Sequence, residues 1–113
     1  VSDRAGLDGR ARLRVTVEFA ANTRELAIAW SLADDAPHLK LEYARIFLVP
    51  LATGADRTYV ELVDGHPWAT VRVPAALPAG EYAVEVDGYG SASWGDGRLD
   101  ARGRSPGFTV AAA

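Results

Sequence analysis

The chain has 113 residues, enough for one two-layer core and too few for two. Its 49% hydrophobic and 24% charged residues argue against disorder, and its formal net charge of −3 argues against a polyanionic partner such as nucleic acid. With no cysteine, disulfide frameworks, thiolate metal sites and cysteine nucleophiles are excluded, and no apolar run approaches the ~20 residues needed to span a bilayer.

Residues Val1 to Gly9 mix small, charged and glycine residues without periodicity and read as a lead-in or linker. The start at Val1, with neither methionine nor a signal pattern, reads as a mature form or a piece of something longer. Leu13, Val15, Val17 and Phe19 alternate with polar residues as a half-buried strand. Leu26, Ile28, Trp30 and Leu32 form the next row, after a connection at Ala20 to Arg24 short enough for a hairpin. Asp34 to Pro37 is a loop.

Leu39 to Leu51 is the longest apolar stretch. One parity carries Leu39, Leu41, Tyr43, Phe47 and Val49, interrupted by Arg45, and the other carries Ala44, Ile46 and Leu48. Either both faces are covered in its second half, or a bulge near Ala44-Arg45 switches faces. Thr53 to Asp56 is a turn, Tyr59 to Val63 a weaker strand closed by Asp64-Gly65, and Ala69, Val71 and Val73 face inward on the next strand. Leu77-Pro78-Ala79-Gly80-Glu81-Tyr82 breaks one strand and opens another with a tyrosine on the apolar row of Val84 and Val86. That is the chemistry of a tyrosine corner, where a buried phenol bonds the backbone upstream. Asp87 to Gly103 reads as a long glycine-rich loop, and Phe108 and Val110 mark the last strand. The total is a single domain over 1–113: all-β, an immunoglobulin-like or fibronectin III-like two-sheet antiparallel sandwich of about seven strands.

Trp30 on an early strand and Tyr82 on a late one are similar to the landmarks of a fibronectin type III domain. There the corner leucine stands six residues before the tyrosine; here Ala76 holds that place, Leu77 is at five and Pro78 at four. The stretch from Val73 to Tyr82, together with Ser105-Pro106-Gly107-Phe108-Thr109-Val110 and Leu26-Ala27-Ile28-Ala29-Trp30-Ser31, more closely resembles the Kre9/KNH-type domain, the N-terminal domain of Ser/Thr-rich GPI-anchored proteins. The resemblance covers Leu26 to Val110 in pieces. It implies an extracellular, non-catalytic accessory domain and carries no catalytic constellation to transfer.

Read for chemistry, the residues point the same way. His38 and His66 lie on different loops, and no Ser/His/Asp spacing, HExxH or P-loop is present, so no enzyme, cofactor or metal site is expected. Asp34, Asp35, Asp87, Asp96 and Asp100 read as turn-forming and solubilising residues ahead of calcium ligands. Arg10, Arg12, Arg14, Arg98, Arg102 and Arg104 form a stripe if the first and last strands are neighbours, and a solvated strand face is its ordinary meaning.

Three aromatics are candidate binding residues. Tyr89 and Trp94 are placed in the long loop, where Trp94 either folds back over the end of the sandwich or stands free. Trp68 points away from Ala69 and Val71, with cover by a neighbouring loop the favoured outcome. Ile46 and Leu48, with Leu51, exceed what one sandwich face needs and mark a contact surface for a protein partner, a neighbouring domain of a longer chain, or a homodimer mate. The expected function is a non-catalytic module of a secreted or cell-surface protein, extracellular or periplasmic, acting in protein contact, adhesion or domain spacing. The alternative is a carbohydrate-binding module stacking polysaccharide on Trp68, Tyr89 and Trp94.

Overall fold

Period-two apolar rows form strands because each leaves one side for water and one for a core. A computed structural model describes residues 11–33, 41–52, 56–90, 94–95 and 97–111. Within them the chain is all-β, with eight strands: β1 (Ala11–Ala20), β2 (Glu25–Leu32), β3 (Tyr43–Pro50), β4 (Thr58–Asp64), β5 (Trp68–Arg72), β6 (Gly80–Tyr89), β7 (Ala101–Arg104) and β8 (Phe108–Val110). The expected lead-in, the Asp34–Pro37 loop, Arg10, His38, Leu39, Asp96 and most of the Thr53–Asp56 turn lie outside the described residues.

Hydrogen bonding runs in the order β4-β3-β6-β7-β1-β2-β5, with β8 paired to β6. Leu13 to Ala20 of β1 pair antiparallel with β2, whereas Ala11 and Arg12 pair parallel with Ala101 and Arg102 of β7. The sheet is therefore mixed, not wholly antiparallel. Gly103 permits the transfer of β1 from one neighbour to the other. A Cβ at that position would lie 2.2 Å from the Leu13 carbonyl oxygen, so a side chain there would block the crossing.

Buried residues from both ends of this order share one cluster: Val63 of β4 and Val71 of β5 join Leu26, Ile28 and Trp30 of β2 and Ile46, Leu48, Val84 and Val86 of β3 and β6. The sheet curls over its own core and is nearly barrel-like. Each fully buried aliphatic side chain contributes about 1.5–3 kcal/mol of transfer free energy.

Three local devices hold the connections. Tyr82 is buried, and its hydroxyl donates to the Pro78 carbonyl at 2.7 Å, which is the corner bond expected of that tyrosine. Arg24 takes φ 60° at the end of the β1–β2 turn, and its guanidinium donates to the carbonyls of Pro74 (2.9 Å), Val73 and Ala111 (both 3.3 Å). Between β7 and β8, Ser105 and Pro106 interrupt the ladder. The Val84 N–H donates to Ser105 Oγ at 2.9 Å, and Ser105 Oγ donates onward to the Pro106 carbonyl at 2.8 Å. The serine side chain thus supplies an acceptor where the strand breaks.

The final run differs from expectation in two places. β6 continues to Tyr89, so Asp87 and Tyr89 are strand residues, and Ala101–Arg104 is a strand where a loop was expected. The connection between them is correspondingly shorter. In β3, the alternative with both faces covered holds for Ile46 to Val49, which are all buried. The bulge sits two residues later than Ala44-Arg45 and on the partner strand: register shifts between Ile46 and Phe47, whose partners are Glu61 and Tyr59, leaving Val60 of β4 as the extra residue.

Candidate functional site

Strand parity sorts β3 into two rows. Ala44, Ile46 and Leu48 enter the core, while Tyr43, Arg45 and Phe47 face outward opposite Tyr89, Asp87 and Glu85 of β6. Ile46 and Leu48 are only 0% and 1% exposed, so they are core residues and not the contact surface expected of them. The excess apolarity of β3 reflects a second, outward row that is itself mostly covered. Leu51, by contrast, is exposed.

What covers that row is a set of side chains from distant parts of the chain. Trp94 lies in a helical turn whose N–H donates to the Gly90 carbonyl at 2.9 Å. Its indole stacks on Tyr43 (centroids 4.9 Å apart, planes at 28°) and meets Tyr89 edge-on at 5.3 Å. The Arg45 guanidinium lies 4.8 Å from the Trp94 ring and 5.6 Å from Tyr89. Trp94 therefore folds back onto the outward side of β3 and β6, leaving Tyr89 buried beneath it and without a free face. Beside this cluster, Arg45, Phe47, Tyr59, Leu62 and Trp94 line a shallow depression of about 450 Å³. Tyr59 and Leu62, on the edge strand β4, are 54% and 41% exposed.

Further along the same face is an ionic network. Asp87, 1% exposed, accepts from Arg102 Nε at 2.7 Å and Nη2 at 3.0 Å, and from Arg57 Nη1 at 3.0 Å. Glu85 accepts from Arg57 Nη1 at 2.7 Å and Arg104 Nη2 at 3.2 Å. Arg57 spans β3 to reach β6, its guanidinium lying 3.7 Å from the centroid of the Phe47 ring. The Asp87 hydrogen bond, ahead of the neighbouring negative charges and against the effect of burial, holds the Arg102 pKa above its ordinary value. Both carboxylates are thus satisfied by guanidinium groups, which engage both oxygens of Asp87. The network also accounts for part of the expected arginine stripe. β1 and β7 are neighbours, but Arg102 and Arg104 are tied to Asp87 and Glu85. Asp100 likewise accepts from the Gly90 N–H at 2.9 Å.

Trp68 belongs to a separate surface. It is 56% exposed on β5, uncovered by any described loop, with the exposed His66 ring 4.5 Å away at 33°. Beside it, Ala29, Ala27, Thr16 and Thr70 form a low floor bordered by the exposed Glu18. The three aromatics expected to act together are therefore divided: Tyr89 and Trp94 on the outward side of β3 and β6, Trp68 on that of β2 and β5.

Reasoning from the sequence missed Tyr43, Arg45, Phe47, Arg57, Tyr59 and Leu62. One signal was present: Arg45 is in phase with Tyr43 and Phe47, so a charge in that row marks it as the outward one. Among the described residues, no group of three or more His, Cys, Asp or Glu could hold a metal ion. No helix there is long and apolar enough to cross a membrane. In comparisons with known proteins, no family model matches the chain and no curated protein matches it.

Proposed function

We propose that the chain is a non-catalytic immunoglobulin-like module of a secreted or cell-surface protein, making protein contact through the outward side of β4, β3 and β6. The two-sheet reading, with β1-β2-β5 facing β4-β3-β6-β7, is supported by the strand order and by the Tyr82–Pro78 corner bond. One observation carries the contact reading: exposed Tyr59 and Leu62 flank a depression bordered by Arg45 and Trp94. Tyr, Trp and Arg are the side chains that most often anchor protein interfaces. Photocross-linking from a reactive residue at position 62, with position 21 on the β1–β2 turn as control, tests it. The expected result is one saturable adduct from position 62, competed by wild-type chain and not by Leu62→Glu. Equal adducts from both positions, or none, would overturn it.

A second reading, saccharide stacking, draws on Trp68 alone. Its open indole beside a low, hydroxyl-bearing floor offers a flat ring to a sugar face. A shift of tryptophan emission on adding a soluble polysaccharide, lost in Trp68→Ala, is the expected sign. Unmoved emission across a panel of neutral and acidic polysaccharides removes the reading.

A further inference from the structure

Resting on the contact reading of the β4–β3–β6 face, we infer that its occupant is an acidic peptide segment of another protein. A carboxylate of that segment lies on Arg45, and a neighbouring large apolar side chain fills the depression beside it. Charge selects this chemistry. Arg57, Arg102 and Arg104 are each committed to Glu85 or Asp87. Arg45 is exposed, and among the described residues no carboxylate partners it; its contacts are the rings of Trp94 and Tyr89.

A guanidinium resting over an indole is already restrained in position. With no carboxylate among the described residues engaging it, its N–H groups can bind an incoming carboxylate through two hydrogen bonds. The cost of ordering a long side chain has thus been met before the partner arrives. The depression next to Arg45 is floored by Phe47 and walled by Leu62, Tyr59 and Trp94, with room for one or two large side chains.

The strand edge argues against a second copy as the occupant. A second copy pairing through the β4 edge would have to accommodate the Val60 bulge, a feature that protects edge strands from pairing.

Selecting random linear peptides, displayed on phage, against the whole chain tests the inference. Enriched peptides are expected to carry Asp or Glu close to an aromatic or aliphatic residue. Their binding should fall about tenfold or more in Arg45→Glu and in Leu62→Glu, and hold in Ala21→Glu. Replacing the peptide's acid by lysine should restore binding to Arg45→Glu. Because all three positions are exposed, unchanged melting of each variant confirms folding.

Peptides that lack an acidic residue, bind Arg45→Glu as well as wild type and are lost in Leu62→Glu would overturn the acidic occupant and leave the contact reading standing. No enrichment, or binding insensitive to both substitutions, would overturn both. A concentration-dependent dimer abolished by Arg45→Glu would make the occupant a second copy and also overturn the inference.

Discussion

Asp87 of β6 and Arg102 of β7 face each other in a two-point ion pair, with Nε on one carboxylate oxygen and Nη2 on the other. The geometry is the planar fork that binds carboxylates best, and it sits where Asp87 is almost wholly removed from water. Replacing Asp87 by Asn leaves Arg102 and Arg57 facing a neutral group. The expected loss is on the order of 2 kcal/mol, since both arginines remain about one-third exposed. Arg104→Ala, with its side chain half in solvent, is expected to cost under about 0.5 kcal/mol. Urea unfolding of the two variants measures the difference.

The pKa of Arg102 is higher in the folded chain, so its stabilising contribution is complete below its unfolded value and fades only as pH climbs through the folded one. Stability contributed by Arg102 should therefore be constant from about pH 7 to about pH 10. The wild-type minus Arg102→Ala difference in unfolding free energy, followed across that range, checks it.

Tyr82→Phe removes only the hydroxyl that Pro78 accepts and keeps the ring in the core. A loss of about 1–1.5 kcal/mol is expected, seen as a lower urea midpoint with unchanged slope. A change in slope would mean that the corner also shapes the unfolded chain.

Two glycines separate crowding from backbone strain. At Gly103 an added methyl would run into the Leu13 carbonyl, so Gly103→Ala should cost about 3 kcal/mol and loosen the pairing of β1 with β7. At Gly65 nothing lies within 4 Å, and only the φ of +87° opposes a side chain. Gly65→Ala should cost about 1 kcal/mol. Thermal melts of both, with amide exchange at Ala11 and Ala101, distinguish the two effects.

How far the chain could be read without coordinates depended on how many faces of a strand meet water. β1 and β2 each keep one solvated side, so the rows Leu13-Val15 and Leu26-Ile28-Trp30 alternate cleanly and were legible. β6 is covered on both sides, and two of its covered residues are Glu85 and Asp87. A carboxylate reads as exposed unless its partners are known, and Arg57 lies 30 residues from Asp87. β7 was hidden for a related reason: Ala-Arg-Gly-Arg has small residues inward and arginines outward, with no apolar alternation to betray a strand. At the candidate site, the fate of Trp94 hung on Tyr43, a contact between distant segments that no local pattern encodes.

The three tryptophans should differ sharply in solution. Trp30 is buried in the core and Trp68 is open, so acrylamide should quench a large share of the emission in wild type and much less in Trp68→Phe. Trp68→Ala should leave stability within about 0.5 kcal/mol, while Trp30→Ala should cost about 3 kcal/mol.

The parallel pairing of β1 with β7 bears on how the chain would carry load. β7 and β8 both run antiparallel to β6, so the stretch leading to Val110 continues in the direction of β1. Tension drawn between Ala11 and Val110 pulls β1 backward and β7 forward, sliding one past the other instead of peeling them apart. In that geometry the bonds joining Ala11 and Arg12 to Ala101 and Arg102 are stretched together and not one after another. A chain held under tension at these two ends would load this short seam in shear, beside a glycine whose replacement crowds the Leu13 carbonyl.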